Sequence, residues 1–531
     1  MGEKMISDDV LYMTVEELAP QIRAKKISPV ALAEASLDRL EKLGPKLGAV
    51  ATITRERALE EARAAEKEIL AGKYRGPLHG IPYGVKDLLA AKGYPTTWGA
   101  PPFKDQMFDY DSTVVKRLHD AGAVLVAKLA MIELAGGGGY NGAKASLQGP
   151  SRCPYNLDYW AGGSSSGPGA SVPSALVGFA IGSETLGSII TPCAFSGVSG
   201  LRPTYGRVSR YGAMALSWTM DKLGPMCRSA VDCGLVLAAI AGPDANDPSA
   251  HPQGAFKWTP GGHGFSRAVG SSKKAGTSAP EGQKPLAGKK LALIQPNWER
   301  SGDKEVAAAF AAALDVLKQL GATLEEIELP DYPYGSVANL LYTAEAASIF
   351  RPFIESGKFQ ELIDDSQKIG LAAALTISAT DYLDAFRLRV EMQREIAKTF
   401  EKFDAWVAPS RNGPANLVDR DFGAPPAGTP PGKAPAKAEA PQKAEAPAKA
   451  AQPGKADAPA RPPGGGGDLR NVIGASNVAG LPAISVPCGF TSKNLPAGIQ
   501  FVADALRDDL CIELARAYQS ATNWHKKRPN L

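Results

Sequence analysis

Residues 162–190 read GGSSSGPGASVPSALVGFAIGSETLGSII. Glycine and hydroxyl side chains alternate here with apolar runs such as 175–181, a mixture that a solvent-washed loop does not contain. The segment reads as close-packed backbone with hydroxyls held inside, and the same texture extends over 134–206. Two literal patterns compete for it. Gly163-Ser164-Ser165-Ser166-Gly167 has nucleophile-elbow spacing, but an elbow needs an aliphatic strand before it and an Asp and a His downstream. The preceding Tyr155-Asn156-Leu157-Asp158-Tyr159-Trp160 is no such strand. The downstream histidines, His251, His263 and His525, fall in a Gly/Pro-rich loop or a basic tail. Gly137-Gly138-Gly139-Tyr140-Asn141-Gly142 fits a dinucleotide fingerprint, yet no strand ends at its first glycine and no helix opens at its last. What remains is a serine cluster without a histidine.

Working outward, helix and strand signals alternate. Ser28 caps and Pro29 opens a helix carrying Leu32, Leu37, Leu40 and Leu43, with Gly44-Pro45 as the expected stop. A second helix is expected over 55–70, a short apolar strand over 83–89, a helix over 112–121 and a buried strand over 124–127. Downstream, a strand (291–294), a helix (306–320) and a strand (323–329) make a βαβ-like unit, and strands over 483–486 and 498–502 precede a terminal helix. Alternation of this kind predicts an α/β fold with helices covering a largely buried sheet.

Composition narrows the function classes. The 531 residues are 44% hydrophobic and 21% charged, and Lys+Arg of 59 against Asp+Glu of 55 leaves a net charge of +4. Near-neutrality argues against an electrostatic grip on nucleic acid or an anionic membrane. Residues 170–190 hold Pro173 and Glu184 and make a poor membrane span, and 1–10 hold no apolar signal core, so a cytoplasmic protein is expected. Six scattered cysteines follow neither a metal-ligand nor a disulfide rhythm, so no metal and no cofactor are expected. Residues 423–467 include 11 Pro and no Val, Ile, Leu, Met or aromatic residue. Such a segment cannot offset its ordering entropy, which predicts a disordered insertion. A second surface loop is expected at 251–288.

A serine hydroxyl is a feeble nucleophile without a base. In the absence of histidine the candidate is Lys86, within Gly84-Val85-Lys86-Asp87-Leu88-Leu89. Apolar neighbours on both sides would lower its pKa toward the roughly 7–8 that a working base needs. The rival reading pairs Lys86 with Asp87 at a partly exposed strand end.

Five blocks carry a resemblance. They are Gly80-Ile81-Pro82-Tyr83-Gly84-Val85-Lys86-Asp87, Gly162-Gly163-Ser164-Ser165-Ser166-Gly167, Gly187-Ser188-Ile189, GVSGLRPTYGR at 197–207, and NVAGLPAISVPCG at 477–489 followed by LPAGIQ at 495–500. In this order the chain resembles the amidase signature family of serine hydrolases along nearly all its ordered length. The resemblance implies one domain over 1–531: a central mixed β-sheet of many strands flanked by helices on both faces. It also implies a Ser–cis-Ser–Lys triad, with Lys86 as general base, Ser164 as proton relay and Ser188 as the acylated nucleophile. The N–H groups of Thr185, Leu186, Gly187 and Ser188 match the oxyanion hole.

Departures from the family pattern cluster at 184–190. Glu184, Leu186 and Ile190 stand where Asp, Gly and Arg are usual, and Ser166 where a second Gly is usual. The Arg-to-Ile change is expected to remove a buried ion pair, and Leu186 cannot take positive φ as cheaply as glycine. The first functional reading is a free-standing hydrolase of a small or linear amide, with a small-molecule partner and a homodimer compatible with it. The second is the A subunit of a tRNA-dependent amidotransferase, acting as a glutaminase within a complex. It rests on 201–207 and 477–487; against it, Arg470 falls near where glutamine-using members carry an acidic residue. A third is a carbamate or ester hydrolase of the same family. Met131, 136–140, Tyr342 and 344–350 are candidate pocket walls, with ordinary packing the default for each, and Arg387 and Arg389 read as surface charges.

Overall fold

The computed structural model describes residues 6–258, 284–294, 302–422 and 467–531, with backbone alone for 467–471. Most of the expected surface loop (259–283) and nearly all of the expected insertion (423–466) lie outside the described residues, as does the side chain of Arg470.

Eleven strands form one mixed sheet. They are β1 (Val50–Ile53), β2 (Pro82–Lys86), β3 (Val124–Leu129), β4 (Phe179–Glu184), β5 (Ser199–Arg202), β6 (Lys222–Cys227), β7 (Lys290–Ile294), β8 (Thr323–Ile327), β9 (Ala405–Pro409), β10 (Ala483–Phe490) and β11 (Pro496–Ala503). Their spatial order is β1-β3-β2-β4-β6-β5-β10-β11-β9-β7-β8. β2 runs parallel to β3 and β4, the βαβ-like unit supplies the parallel pair β7–β8, and β4, β6, β5, β10, β11 and β9 follow one another antiparallel.

Strand periodicity sends alternate side chains to opposite faces, and both faces are covered. In β9, Ala405 and Val407 join one apolar cluster while Trp406 and Ala408 join another; in β7, Leu291 and Leu293 divide from Ala292 and Ile294 in the same way. Buried faces on both sides explain why these strands are continuous apolar runs.

The helices keep their expected cores with shifted ends. Arg55–Leu70 matches its expectation, while Pro29–Leu47 runs through Gly44-Pro45 and ends at Gly48, whose φ is +58°. Proline removes one ladder bond. The turn beyond it nonetheless buries Leu47 and lays Gly44 against Val50, so packing carries the helix past the expected stop. The 162–174 segment is buried as its texture predicted: Ser165, Ser171 and Ser174 are inaccessible. Gly167 is required there, since a Cβ would meet the Ala130 nitrogen at 2.4 Å.

Candidate active site

Lys86 ends β2 in the middle of the sheet and is fully buried. Its ammonium nitrogen lies 2.7 Å from Ser164 Oγ and 2.9 Å from Ser183 Oγ. Asp87 points the other way, forming an ion pair at 2.8 Å with Lys128 of β3. The rival reading, Lys86 paired with Asp87, is therefore not what the chain does. Burial pulls the Lys86 pKa down to about 7, against the upward pull of the Asp221 and Glu184 carboxylates. A neutral amine is thus accessible near neutral pH.

The serine turn meets this amine through Ser164. The Gly163–Ser164 peptide is cis. Ser165 N donates to the Ser188 carbonyl at 3.3 Å, and Ser165 Oγ donates to the Ser183 carbonyl at 3.1 Å while accepting from Ser183 N at 3.2 Å. Lys86 and Ser164 are in direct contact. Among the described residues no hydrogen bond joins the Ser164 and Ser188 hydroxyls. Ser183 was not singled out by sequence: a lone serine between Gly182 and Glu184 gives no signal until the fold brings it to Lys86.

Ser188 follows β4 at the start of the helix Ile190–Ser196. Gly187 supplies the positive φ (+94°) that the turn requires, and Leu186 is not in that region, so the anticipated strain at Leu186 does not arise. Among the described residues, the N–H groups of Leu186, Gly187 and Ser188 have no protein acceptor. The next two N–H groups, of Ile189 and Ile190, donate to Glu184 Oε2 at 2.8 and 3.0 Å.

Glu184 corrects a second expectation. The buried ion pair is not lost: Glu184 Oε1 accepts from Arg202 Nη1 at 2.8 Å and from Asn477 Nδ2 at 3.0 Å. Burial pushes the Glu184 carboxyl up, but Arg202, the Ile190 N–H and Lys222 outweigh it and hold it at about 2. The longer Glu side chain meets a cation from β5 instead of one at position 190. It also ties the C-terminal block, through Asn477, to the turn bearing Ser188.

Ser188 lines a cavity of about 400 Å³ together with Gly163, Thr185, Leu186 and Thr191 and the aromatic side chains of Tyr140, Trp160, Phe195, Tyr342 and Phe422. Arg411 and Asn416 complete its polar lining. Of the expected wall residues, Gly136, Tyr140 and Tyr342 are present; Met131, Ala346 and Phe350 are core residues instead. Trp160, Phe195, Arg411, Asn416 and Phe422 were not foreseen, because they reach the site from loops far apart in sequence. Arg387 is exposed as expected, but Arg389 is buried, donating to the Val478 and Thr219 carbonyls at 2.8 and 3.0 Å.

All six cysteines are buried and unpaired. Among the described residues no group of three or more His, Cys, Asp or Glu could hold a metal ion, no helix is long and apolar enough to cross a membrane, and no histidine lines the cavity.

A mixed α/β fold of this kind is shared with enzymes that hydrolyse amide C–N bonds. The family model described as Amidase matches residues 31–424, and the chain belongs to that family. It is similar over its whole length to the A subunit of the glutamyl-tRNA(Gln) amidotransferase of Moorella thermoacetica, at 32% identity covering 98% of this chain and 99% of the relative. The corresponding protein of Nostoc punctiforme is 31% identical with the same coverage. Among solved structures, the native peptide amidase from Stenotrophomonas maltophilia superposes with a TM-score of 0.75 at 27% identity, covering 97% of this chain and 98% of that one. The sequence alone favours a free-standing amidase over an amidotransferase component; the similar proteins favour the reverse order.

Proposed function

We propose that this chain hydrolyses a carboxamide through an acyl-enzyme on Ser188, and that the amide is the side chain of glutamine, cleaved by this chain as the A subunit of a tRNA-dependent amidotransferase. The observation that carries the chemistry is the environment of Lys86: fully buried, hydrogen-bonded to the Ser164 and Ser183 hydroxyls, with the adjacent carboxylate taken by Lys128. A neutral amine there accepts the Ser164 proton while Ser164 accepts that of Ser188, since a hydroxyl donates and accepts at once. Ser188 Oγ then bonds the amide carbon. The N–H groups of Leu186, Gly187 and Ser188, with Thr185, receive the oxyanion, each such donor contributing about 3–4 kcal/mol to the transition state. The proton returns through Ser164 to the departing nitrogen as the C–N bond breaks, and water cleaves the ester by the same relay in reverse.

The amidotransferase reading is supported by the end-to-end match to relatives named as A subunits of that enzyme. It is tested by measuring ammonia release from glutamine by the purified chain alone and after co-expression with the other subunits of its source. Release that appears only in the assembly supports it; glutamine left intact in both, with aryl or peptide amides turned over by the chain alone, contradicts it. That second outcome is the free-standing amidase, which one observation favours: Tyr140, Trp160, Phe195 and Phe422 give the cavity an aromatic wall suited to a bulky acyl group.

A further inference from the structure

We infer that Asp87 is a positioning residue for the hydrolytic reaction: its pairing with Lys128 keeps a second buried ammonium compensated beside Lys86 and pins the segment that supports the cavity wall. The inference rests on the assignment of Lys86 as the base.

The placement follows from strand geometry. Lys128 lies opposite Val85 in the parallel β2–β3 register, so Lys128 and Asp87 share one face and Lys86 takes the other. Both members of the pair are inaccessible to solvent. A buried charge that loses its partner is left uncompensated in a medium of low dielectric. Two buried lysines one strand apart thus divide the available carboxylate unequally: Lys128 receives it, and Lys86 receives hydroxyls.

Both partners also reach the same loop. Lys128 Nζ donates to the Pro95 carbonyl at 2.7 Å and to Thr96 Oγ1. Asp87 Oδ2 accepts from Thr97 N at 3.0 Å and from the Thr97 hydroxyl. The Asp87 carbonyl accepts from Trp98 N at 3.1 Å, and the Trp98 carbonyl accepts from Leu134 N at 2.9 Å. Trp98, Leu134 and Ala135 all hold positive φ (53°, 48° and 53°), conformations that a non-glycine residue keeps only when its surroundings impose them. Ala135 and Gly136 line the same cavity as Ser188. An unbroken path of contacts therefore runs from the Asp87–Lys128 pair to the cavity wall.

The test compares Asp87→Asn, Lys128→Met and the double variant, reading the rate of Ser188 acylation by a fluorophosphonate against pH. The charged groups acting on Lys86 in the parent are Asp221 and Glu184. Lys128→Met leaves an unpaired carboxylate nearby, which favours the ammonium form of Lys86 and moves the half-rise of the profile up. Asp87→Asn leaves an unpaired cation and moves it down. Each single variant is expected to acylate roughly tenfold to a hundredfold more slowly than the parent at its own plateau, the scale of a small displacement of reacting groups. The double variant, with neither charge, is expected to return the half-rise to the parent's position while its plateau rate stays low, because the contacts of Lys128 with Pro95 and Thr96 and of the Asp87 carboxylate with Thr97 are still lost. If a single variant does not fold, the double variant decides. A folded double variant with a displaced half-rise, or with the parent's plateau rate, overturns the inference, as do folded single variants that keep the parent's profile. Failure of the base assignment looks different, since Lys86→Ala would then retain acylation.

Discussion

Lys86 and Glu184 end neighbouring strands, are equally inaccessible, and are treated in opposite ways by the fold. Glu184 is saturated with partners: Arg202, Asn477 and two helix N–H groups. Lys86 is given two hydroxyls and, among the described residues, no carboxylate contact. Burial disfavours the charged form of both; partners reverse that for the acid, held at about 2, and do not for the amine, brought to about 7. In the proposed mechanism the difference separates a structural charge from a reactive one. A group that must stay ionised is surrounded by complementary charge, whereas a group that must exchange a proton near neutrality is denied it.

The largest effect is expected from removing the proposed base or nucleophile. Lys86→Ala and Ser188→Ala are each expected to lower amide turnover about 10⁴-fold or more while circular dichroism stays unchanged. Next comes the structural side: Glu184→Gln deprives buried Arg202 of its counter-charge, with an expected loss of about 3–5 kcal/mol in urea unfolding. This stability has a definite pH window. It is fully present above the unfolded carboxyl value of 4.5 and fades as pH falls toward about 2.

Lys86→Met removes the buried amine without leaving a charge. Below pH about 7 the native chain carries a buried ammonium that the unfolded chain keeps in water. Between about 7 and 10.5 the unfolded state binds the extra proton, so parent stability rises with pH across that window. The Met variant is therefore expected to be more stable than the parent below pH 7, by roughly 5 kcal/mol at most, with the gap closing toward pH 10.5. Thermal unfolding of both proteins across that range checks the sign. The smallest effect belongs to Leu186→Gly. Since Gly187 already supplies the positive φ, kcat is expected to stay within about threefold of the parent.

Legibility in the sequence tracked how local each signal is. The sheet-and-helix alternation, the 55–70 helix, the βαβ-like unit and the buried character of 162–174 could be read directly, because periodicity and texture are local properties. The position of Lys86 within an apolar run was likewise visible. The choice between Lys86 and Lys128 for Asp87 was not, because it depends on the β2–β3 register. Glu184's partner was equally hidden: Arg202 lies on β5, separated from β4 in the sheet by β6. The aromatic cavity wall comes from Tyr140, Trp160, Phe195 and Phe422, which only the tertiary fold assembles. The helix that ran past Gly44-Pro45 shows the same limit, since a local breaker yielded to burial of the turn beyond it.

Whether an unprotonated Lys86 drives acylation of Ser188 is decided by the second-order rate of fluorophosphonate attachment to Ser188 between about pH 5 and 9. The rate should climb with an apparent midpoint near 7 and vanish in Lys86→Ala. A rate independent of pH, or undiminished labelling of the Lys86→Ala protein, would contradict that role for Lys86.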